Sequence, residues 1–236
     1  MTALRIETLC ARALVPAPGV VWRACRFRPG PASEAVHEGP EGPVRLTLPD
    51  ALARAVDRRR SEFLAGRLCA ALALRALGAP EGVGRAGRAP VWPAGIRGSI
   101  SHAGDLALAV AARGAAGLGV DCETRFSPAL AAEVGPSVLT PADRAARPAG
   151  WDEALLCTLA FSAKEALYKA LSPGLDDVPD FAEASIARIG PACLTLDFRG
   201  LRARVGYALG PERCVTLAHL APAGAAARLP GAGGPC

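Results

Sequence analysis

The sequence predicts an α+β fold, and three stretches predict it. From Trp151 to Leu171, residues Leu156, Leu159, Ala160, Ala163, Leu167 and Ala170 recur at spacings of three or four, the period of a long amphipathic helix. Pro90 to Ala112 holds two extended runs separated by Ala103-Gly104-Asp105, which reads as a hairpin whose returning strand is Leu106 to Ala112. Cys193–Phe198, Leu201–Ala208 and Cys214–Leu220 alternate about turns at Arg199-Gly200 and Gly210-Pro211, the pattern of an antiparallel meander.

The remaining elements follow in chain order. Met1 to Pro18 fits either a short helix or a strand, and Val20–Phe27, which contains Trp22, reads as a strand. Arg28 to Pro43, with its Gly, Pro and Glu residues, reads as an exposed loop. A short strand over Val44–Leu48 ends at the turn Pro49-Asp50. The helix after that turn directs Phe63, Leu64, Leu68, Ala71, Leu72 and Leu74 inward. Arg60 and Arg67 lie seven apart and so nearly on one face, and Gly66 beside Arg67 allows a ligand or another element to come close. Gly78 to Arg88 is a Gly-rich basic loop without the GxxxxGK[ST] pattern of a P-loop.

A boundary near Arg113–Ala116 divides the chain into an N-terminal α+β half, 1–113, and a C-terminal α+β half, 114–220. Within the second half, Phe126 to Leu139 suits a short helix and Thr140 to Gly150 a polar connection bearing prolines. Asp152, after Pro-Ala-Gly, suits the N-cap of the long helix, and Ser172-Pro173-Gly174 stops it because proline has no N–H to donate. The stretch 221–236 is small, rich in Pro and Gly and aperiodic, and is expected to be disordered.

Chemistry concentrates at three places. In the strand Leu118–Glu123, Val120 and Cys122 face one way while Asp121 and Glu123 face the other. Two carboxylates on one face repel unless a cation lies between them, and their oxygens suit a hard divalent ion such as Mg²⁺. On the long helix, Lys164, Glu165 and Lys169 lie off the apolar stripe, and Glu165 and Lys169 share a face at a spacing of four. Ser99, Ser101 and His102 stand at or near the end of the hairpin strand, where polar side chains can reach a ligand.

Gly98-Ser-Ile-Ser-His102, Gly119-Val-Asp-Cys-Glu123 and Phe161-Ser-Ala-Lys-Glu-Ala-Leu-Tyr-Lys-Ala170 resemble the signature blocks of the 4'-phosphopantetheinyl transferases. The block Arg58–Leu74 and the pair Trp92-Pro93 resemble the larger, siderophore-synthase subgroup of that family. The resemblance implies two similar halves, each a long helix packed on a small antiparallel sheet, with the active site in the cleft between them. It implies transfer of the 4'-phosphopantetheine arm of coenzyme A to a serine of an apo acyl, peptidyl or aryl carrier protein, releasing adenosine 3',5'-bisphosphate. On the family's pattern Asp121, Glu123 and Glu165 are Mg²⁺ ligands and Glu165 is also the base. Lys169 holds the diphosphate, His102 with Ser101 meets the 3'-phosphate, and Arg60, Arg67, Arg88 and Lys164 contact the donor. A monomer is expected, since the chain is about twice the size of the family's short trimeric type.

Composition agrees with an anionic partner. The formal charge is +5 over 236 residues. A nucleic-acid-binding protein is disfavoured because aromatics are sparse and neither a basic stripe nor a zinc-ligand set is present. A Mg²⁺-dependent phosphohydrolase could use the same three carboxylates with water as nucleophile. The cysteines show no Cys-x-x-Cys spacing, and Cys69, Cys122, Cys157 and Cys193 stand where a small hydrophobe fits. No apolar run reaches ~18 residues and no signal-type h-region follows the N-terminus, so a cytoplasmic protein with reduced thiols is expected.

Overall fold

The computed structural model describes residues 2–9, 14–87, 89–175 and 177–221. The chain divides into two compact units. One holds the chain up to Arg113 apart from Leu14–Ala17, and the other holds Leu14–Ala17 and the chain from Gly114 onward. Apart from Ala221, the tail expected to be disordered lies outside the described residues.

In the first unit the strands are β1 (Ile6–Thr8), β2 (Val20–Phe27), β3 (Glu34–His37) and β4 (Val44–Thr47); after helix α1 (Asp57–Ala76) come β5 (Gly84–Ala86), β6 (Ala89–Val91), β7 (Ile96–Ala103) and β8 (Leu106–Arg113). The main sheet runs β1-β2-β8-β7, antiparallel throughout. Ala103 pairs with Leu106, so the β7–β8 turn is Gly104-Asp105, with Gly104 at φ 60° where a side chain would be strained. Helix α1 lies on β2, β7 and β8 with Ser61, Leu64, Ala65, Leu68, Cys69 and Leu74 buried. Gly66 is where a second element comes close: a Cβ there would stand 2.6 Å from Ile100 Cγ2 of β7. Gly98 accepts the Trp92 ring in the same way, at 2.6 Å from a Cβ position.

Two expected loops carry strands. β3 lies inside Arg28–Pro43 and pairs with β4, with Ala35 buried and Arg45 bridging to Glu34 at 2.9 Å. β5 lies inside Gly78–Arg88 and pairs with β6. Both are short hairpins whose pairing comes from neighbouring strands and not from alternation within the run.

The second unit contains β9 (Gly117–Thr124), α2 (Pro128–Val138), α3 (Pro141–Ala145), α4 (Glu153–Leu171), β10 (Ala184–Ile189), β11 (Cys193–Phe198), β12 (Leu201–Leu209) and β13 (Arg213–Leu220). Its sheet runs β10-β11-β12-β13-β9, again antiparallel throughout. Each unit is therefore one long helix on one small antiparallel sheet, α1 with 20 residues and α4 with 19. Asp152 caps α4 by accepting from Leu155 N at 2.7 Å, and a 3₁₀ turn over Ser172–Gly174 ends it. The helix α3, inside the expected connection, starts from a capping box in which Thr140 and Asp143 serve each other's backbone N–H, with Pro141 in the first turn. β10 was not anticipated. Of its six residues only Ala184 and Ile186 are buried, too few to mark a strand by alternation.

Cys25, Cys69, Cys122, Cys157 and Cys214 are free and buried, as small hydrophobes. Cys193, at the start of β11, differs in being only half-buried. Among the described residues no helix is long and apolar enough to cross a membrane.

Candidate active site

Two glycines of β9 set the geometry of the second unit. A Cβ on Gly119 would stand 1.9 Å from Ala166 O, and one on Gly117 would stand 2.3 Å from Ala170 O. Alternation along the strand puts Gly117, Gly119, Asp121 and Glu123 on one face, so the bare positions seat α4 and the carboxylates lie further along the same face. Asp121 stands opposite Thr216 of β13, which donates to Ser162 O of α4 at 2.8 Å and shares a 2.9 Å hydroxyl contact with Ser162. Past the end of β9, Arg125 bonds Asp152 at 2.8 Å and ties the N-cap of α4 to the strand. The helix is thus held on β9 at both ends.

Seated this way, α4 brings Lys169 Nζ to 2.6 Å from Asp121 Oδ1. The Asp121 side chain is 4% exposed and that of Lys169 is 31% exposed. Glu123 and Glu165 are half-buried in the same electrostatic neighbourhood. Burial pushes the Glu123 carboxyl up to about 7, Asp121 and Glu165 push the same way, and Lys169 opposes them. Burial likewise raises Glu165, again with Lys169 opposing and Asp121 adding. Cys122 faces away, with its thiol pushed up to about 12, chiefly by burial. Among the described residues, one lysine thus stands among three carboxylates here.

The three carboxylates suit a hard divalent cation in kind, and an ammonium already stands among them as an internal cation. Among the described residues no three His, Cys, Asp or Glu side chains yet stand close enough together to hold a metal ion. The donor set fits in kind, and one of its carboxylates, Asp121, holds Lys169.

Lys164 requires a correction. Its side chain has no exposed surface, and its ammonium donates to Asp143 Oδ2 at 2.7 Å, Val138 O at 2.7 Å and Phe181 O at 3.0 Å. An ammonium has three N–H donors and all are used, so the expected contact with the donor is withdrawn. Burial lowers the Lys164 pKa even with Asp143 beside it. Asp143, which sequence reasoning passed over, is as deeply buried and also accepts from Thr140 N and Ile186 N. The Thr140-x-x-Asp143 spacing carried the signal.

The other expected residues belong to the first unit. His102, on β7, has its Nδ1 3.7 Å from Glu62 Oε1 of α1, an ion pair when the imidazole is protonated. Ser101 points to the opposite face of β7, on the buried side with Ser99. Arg60 lies 3.6 Å from Asp57, and its Nε is buried with no hydrogen-bond partner among the described residues. Arg67 stacks over Phe63 at 5.2 Å and donates to Val83 O and Gly84 O, at 2.6 and 2.7 Å, holding the strand that leads into β5. Arg88 lies outside the described residues. Glu62, which also accepts from Arg58 at 2.9 Å, was not singled out from sequence.

One strand–helix face of the second unit thus carries acidic side chains and a lysine together. Residues 48–112 match the 4'-phosphopantetheinyl transferase N-terminal domain, and residues 117–215 match the 4'-phosphopantetheinyl transferase superfamily. The chain belongs to the 4'-phosphopantetheinyl transferase superfamily. It is 41% identical over 156 residues to enterobactin synthase component D of Salmonella typhi, a match covering 64% of this chain and 65% of that protein. It is 39% identical over 168 residues to the 4'-phosphopantetheinyl transferase Svp of Streptomyces mobaraensis, covering 65% of each. Against the 4'-phosphopantetheinyl transferase Npt of Nocardia iowensis it is 40% identical over 144 residues, covering 57% of this chain and 62% of that one. The chain thus spans less than two thirds of the length of these relatives.

Proposed function

We propose that the protein is an enzyme that transfers the 4'-phosphopantetheine arm of coenzyme A to a serine of an apo carrier protein. The observation that carries this reading is the convergence of Asp121, Glu165 and Lys169 on one strand–helix face, with Glu123 beside them, within the stretch matched to the family. Asp121, Glu123 and Glu165 would hold Mg²⁺, which when bound neutralises charge on the donor's diphosphate. Lys169 meets that diphosphate and stabilises the charge that develops on the leaving group. Glu165, whose proton affinity is raised by burial, accepts the proton of the carrier serine. The serine oxygen forms its bond to phosphorus as the bond from phosphorus to the bridging oxygen breaks, and adenosine 3',5'-bisphosphate leaves with that oxygen.

His102, with Ser101 near it in sequence, meets the 3'-phosphate in this reading, and Arg60, Arg67 and Arg88 the nucleotide phosphates. The unpartnered Nε of Arg60 supports an anion there. The name of one relative, enterobactin synthase component D, favours a carrier protein of siderophore synthesis. The protein works as a monomer in the cytoplasm. Intact-protein mass spectrometry of an apo carrier protein with coenzyme A and Mg²⁺ tests the reading. The expected result is a gain of one phosphopantetheine arm. Free phosphate released with no change in carrier mass overturns it in favour of a phosphohydrolase.

A further inference from the structure

Lys169 and Asp121 form a contact unlike a surface ion pair. Nζ and Oδ1 lie 2.6 Å apart, and the carboxylate side is nearly sealed while a third of the lysine side chain meets solvent. Lys169 also lies near enough to Glu123 and Glu165 to oppose the rise of their proton affinities, so among the described residues it is a cation shared by this acidic group.

We infer that Lys169 is the internal counter-cation of the metal-free site: it holds Asp121 until a divalent cation takes that carboxylate, and the diphosphate of the donor then receives the displaced ammonium. The inference rests on the reading of Asp121, Glu123 and Glu165 as the metal ligands. A divalent cation arriving alone must displace a paired ammonium and then sit beside it, two unfavourable terms. Arriving with a diphosphate, it leaves the ammonium a stronger partner than the one it lost. The flexible stem of lysine lets one residue serve both partners in turn. Metal and diphosphate therefore bind synergistically, and Lys169 is the side chain that couples them.

Calorimetric titration with Mn²⁺, a hard divalent probe, tests this on the whole chain without any turnover. Without donor, Lys169→Met should bind Mn²⁺ roughly tenfold or more tightly than the parent, because a unit charge a few ångströms away is removed. Lys169→Arg should stay near the parent. Coenzyme A should tighten Mn²⁺ binding in the parent by a larger factor than in Lys169→Met. If Lys169→Met binds Mn²⁺ no better than the parent, while Asp121→Asn still abolishes binding, the counter-cation role is overturned and the ligand set stands. Absence of Mn²⁺ binding by the parent even with coenzyme A overturns the ligand set itself. Should the Met variant fail to fold, the parent alone decides: Mn²⁺ affinity independent of coenzyme A overturns the inference.

Discussion

Two lysines five residues apart on α4 each hold an aspartate. Lys164 Nζ lies 2.7 Å from Asp143 and Lys169 Nζ lies 2.6 Å from Asp121. The distances do not separate the pairs; the surroundings do. Around Lys164 every donor is used, by two carbonyls as well as the carboxylate, and neither side chain has exposed surface. That pair joins the end of α2, the cap of α3, the Phe181 turn and β10, and has no capacity left for anything else. Lys169 keeps a third of its side chain in solvent and faces an excess of carboxylates. A sealed pair holds structure, and a half-open pair beside surplus charge can change partners.

The largest effect should come from breaking the sealed pair. Asp143→Ala leaves a buried ammonium without its counter-charge and leaves the N–H groups of Thr140 and Ile186 without their acceptor. The expected cost is about 3–5 kcal/mol, read as a fall of on the order of 10 °C in melting temperature or as failure to fold. The double replacement Lys164→Met with Asp143→Leu should recover much of it, since no charge is then stranded. A single variant that melts with the parent would mean water reaches Lys164.

Next comes the seat that positions the half-open pair. Gly119→Ala places a methyl 1.9 Å from Ala166 O and cannot be relieved by rotating a side chain, because the obstacle is helix backbone. About 1–3 kcal/mol of stability should be lost as α4 shifts, and transfer activity should fall by more than stability explains, because Lys169 and Glu165 ride on that helix. Gly117→Ala, with 2.3 Å to Ala170 O, should do less. Melting curves and carrier-modification rates measured on the same samples check both.

The two pairs also differ in how far they could be read from sequence. The strand of Asp121 and Glu123 and the helix of Glu165 and Lys169 were legible because alternation and a spacing of four are local rules, whereas the contact between Lys169 and Asp121, 48 residues apart, was not. The two long helices, the β7–β8 hairpin and the closing meander were legible for the same reason. Lys164 was misread because the helical pattern that left it off the apolar stripe gives no sign that α2, α3 and the Phe181 turn cover that flank. Burial by distant segments has no local signature, and neither do β3, β5 and β10, which exist because a neighbour pairs with them. The cap at Thr140 and Asp143 did have one, a T-x-x-D spacing beside a proline, hidden by the polar composition around it.

A smaller effect is expected from opening the half-open pair. Asp121→Asn keeps the shape and an oxygen near Lys169 while removing one charge from a crowded group. Stability should change by no more than about 1 kcal/mol, in contrast to Asp143→Ala, because Lys169 can turn to solvent. Mn²⁺ binding should be lost in the same variant. A destabilisation matching that of Asp143→Ala would erase the distinction between the pairs.

The smallest effect sharpens the comparison by pH. Glu123 titrates at about 7 in the folded chain against an ordinary 4.5, raised first by burial and then by Asp121 and Glu165 against the opposing pull of Lys169. Between those values the folded chain holds a proton that the unfolded chain has lost, so without metal its stability falls as pH rises through that window. Below the window both states are protonated and no penalty remains; above it the penalty is complete. Glu123→Gln cannot ionise and lacks this slope. With a chelator present it should be more stable than the parent at about pH 8, and the two should converge at about pH 4. Because Glu123 remains partly in contact with water, the gap should be only a fraction of what the full shift implies, a few degrees in melting temperature at most. Saturating Mg²⁺ should reverse the order at high pH, since the parent's carboxylate then has a cation to meet and the amide does not. A parent more stable than Glu123→Gln at high pH without metal would show that Lys169 already balances all three carboxylates, leaving no surplus charge to draw a second cation into the site.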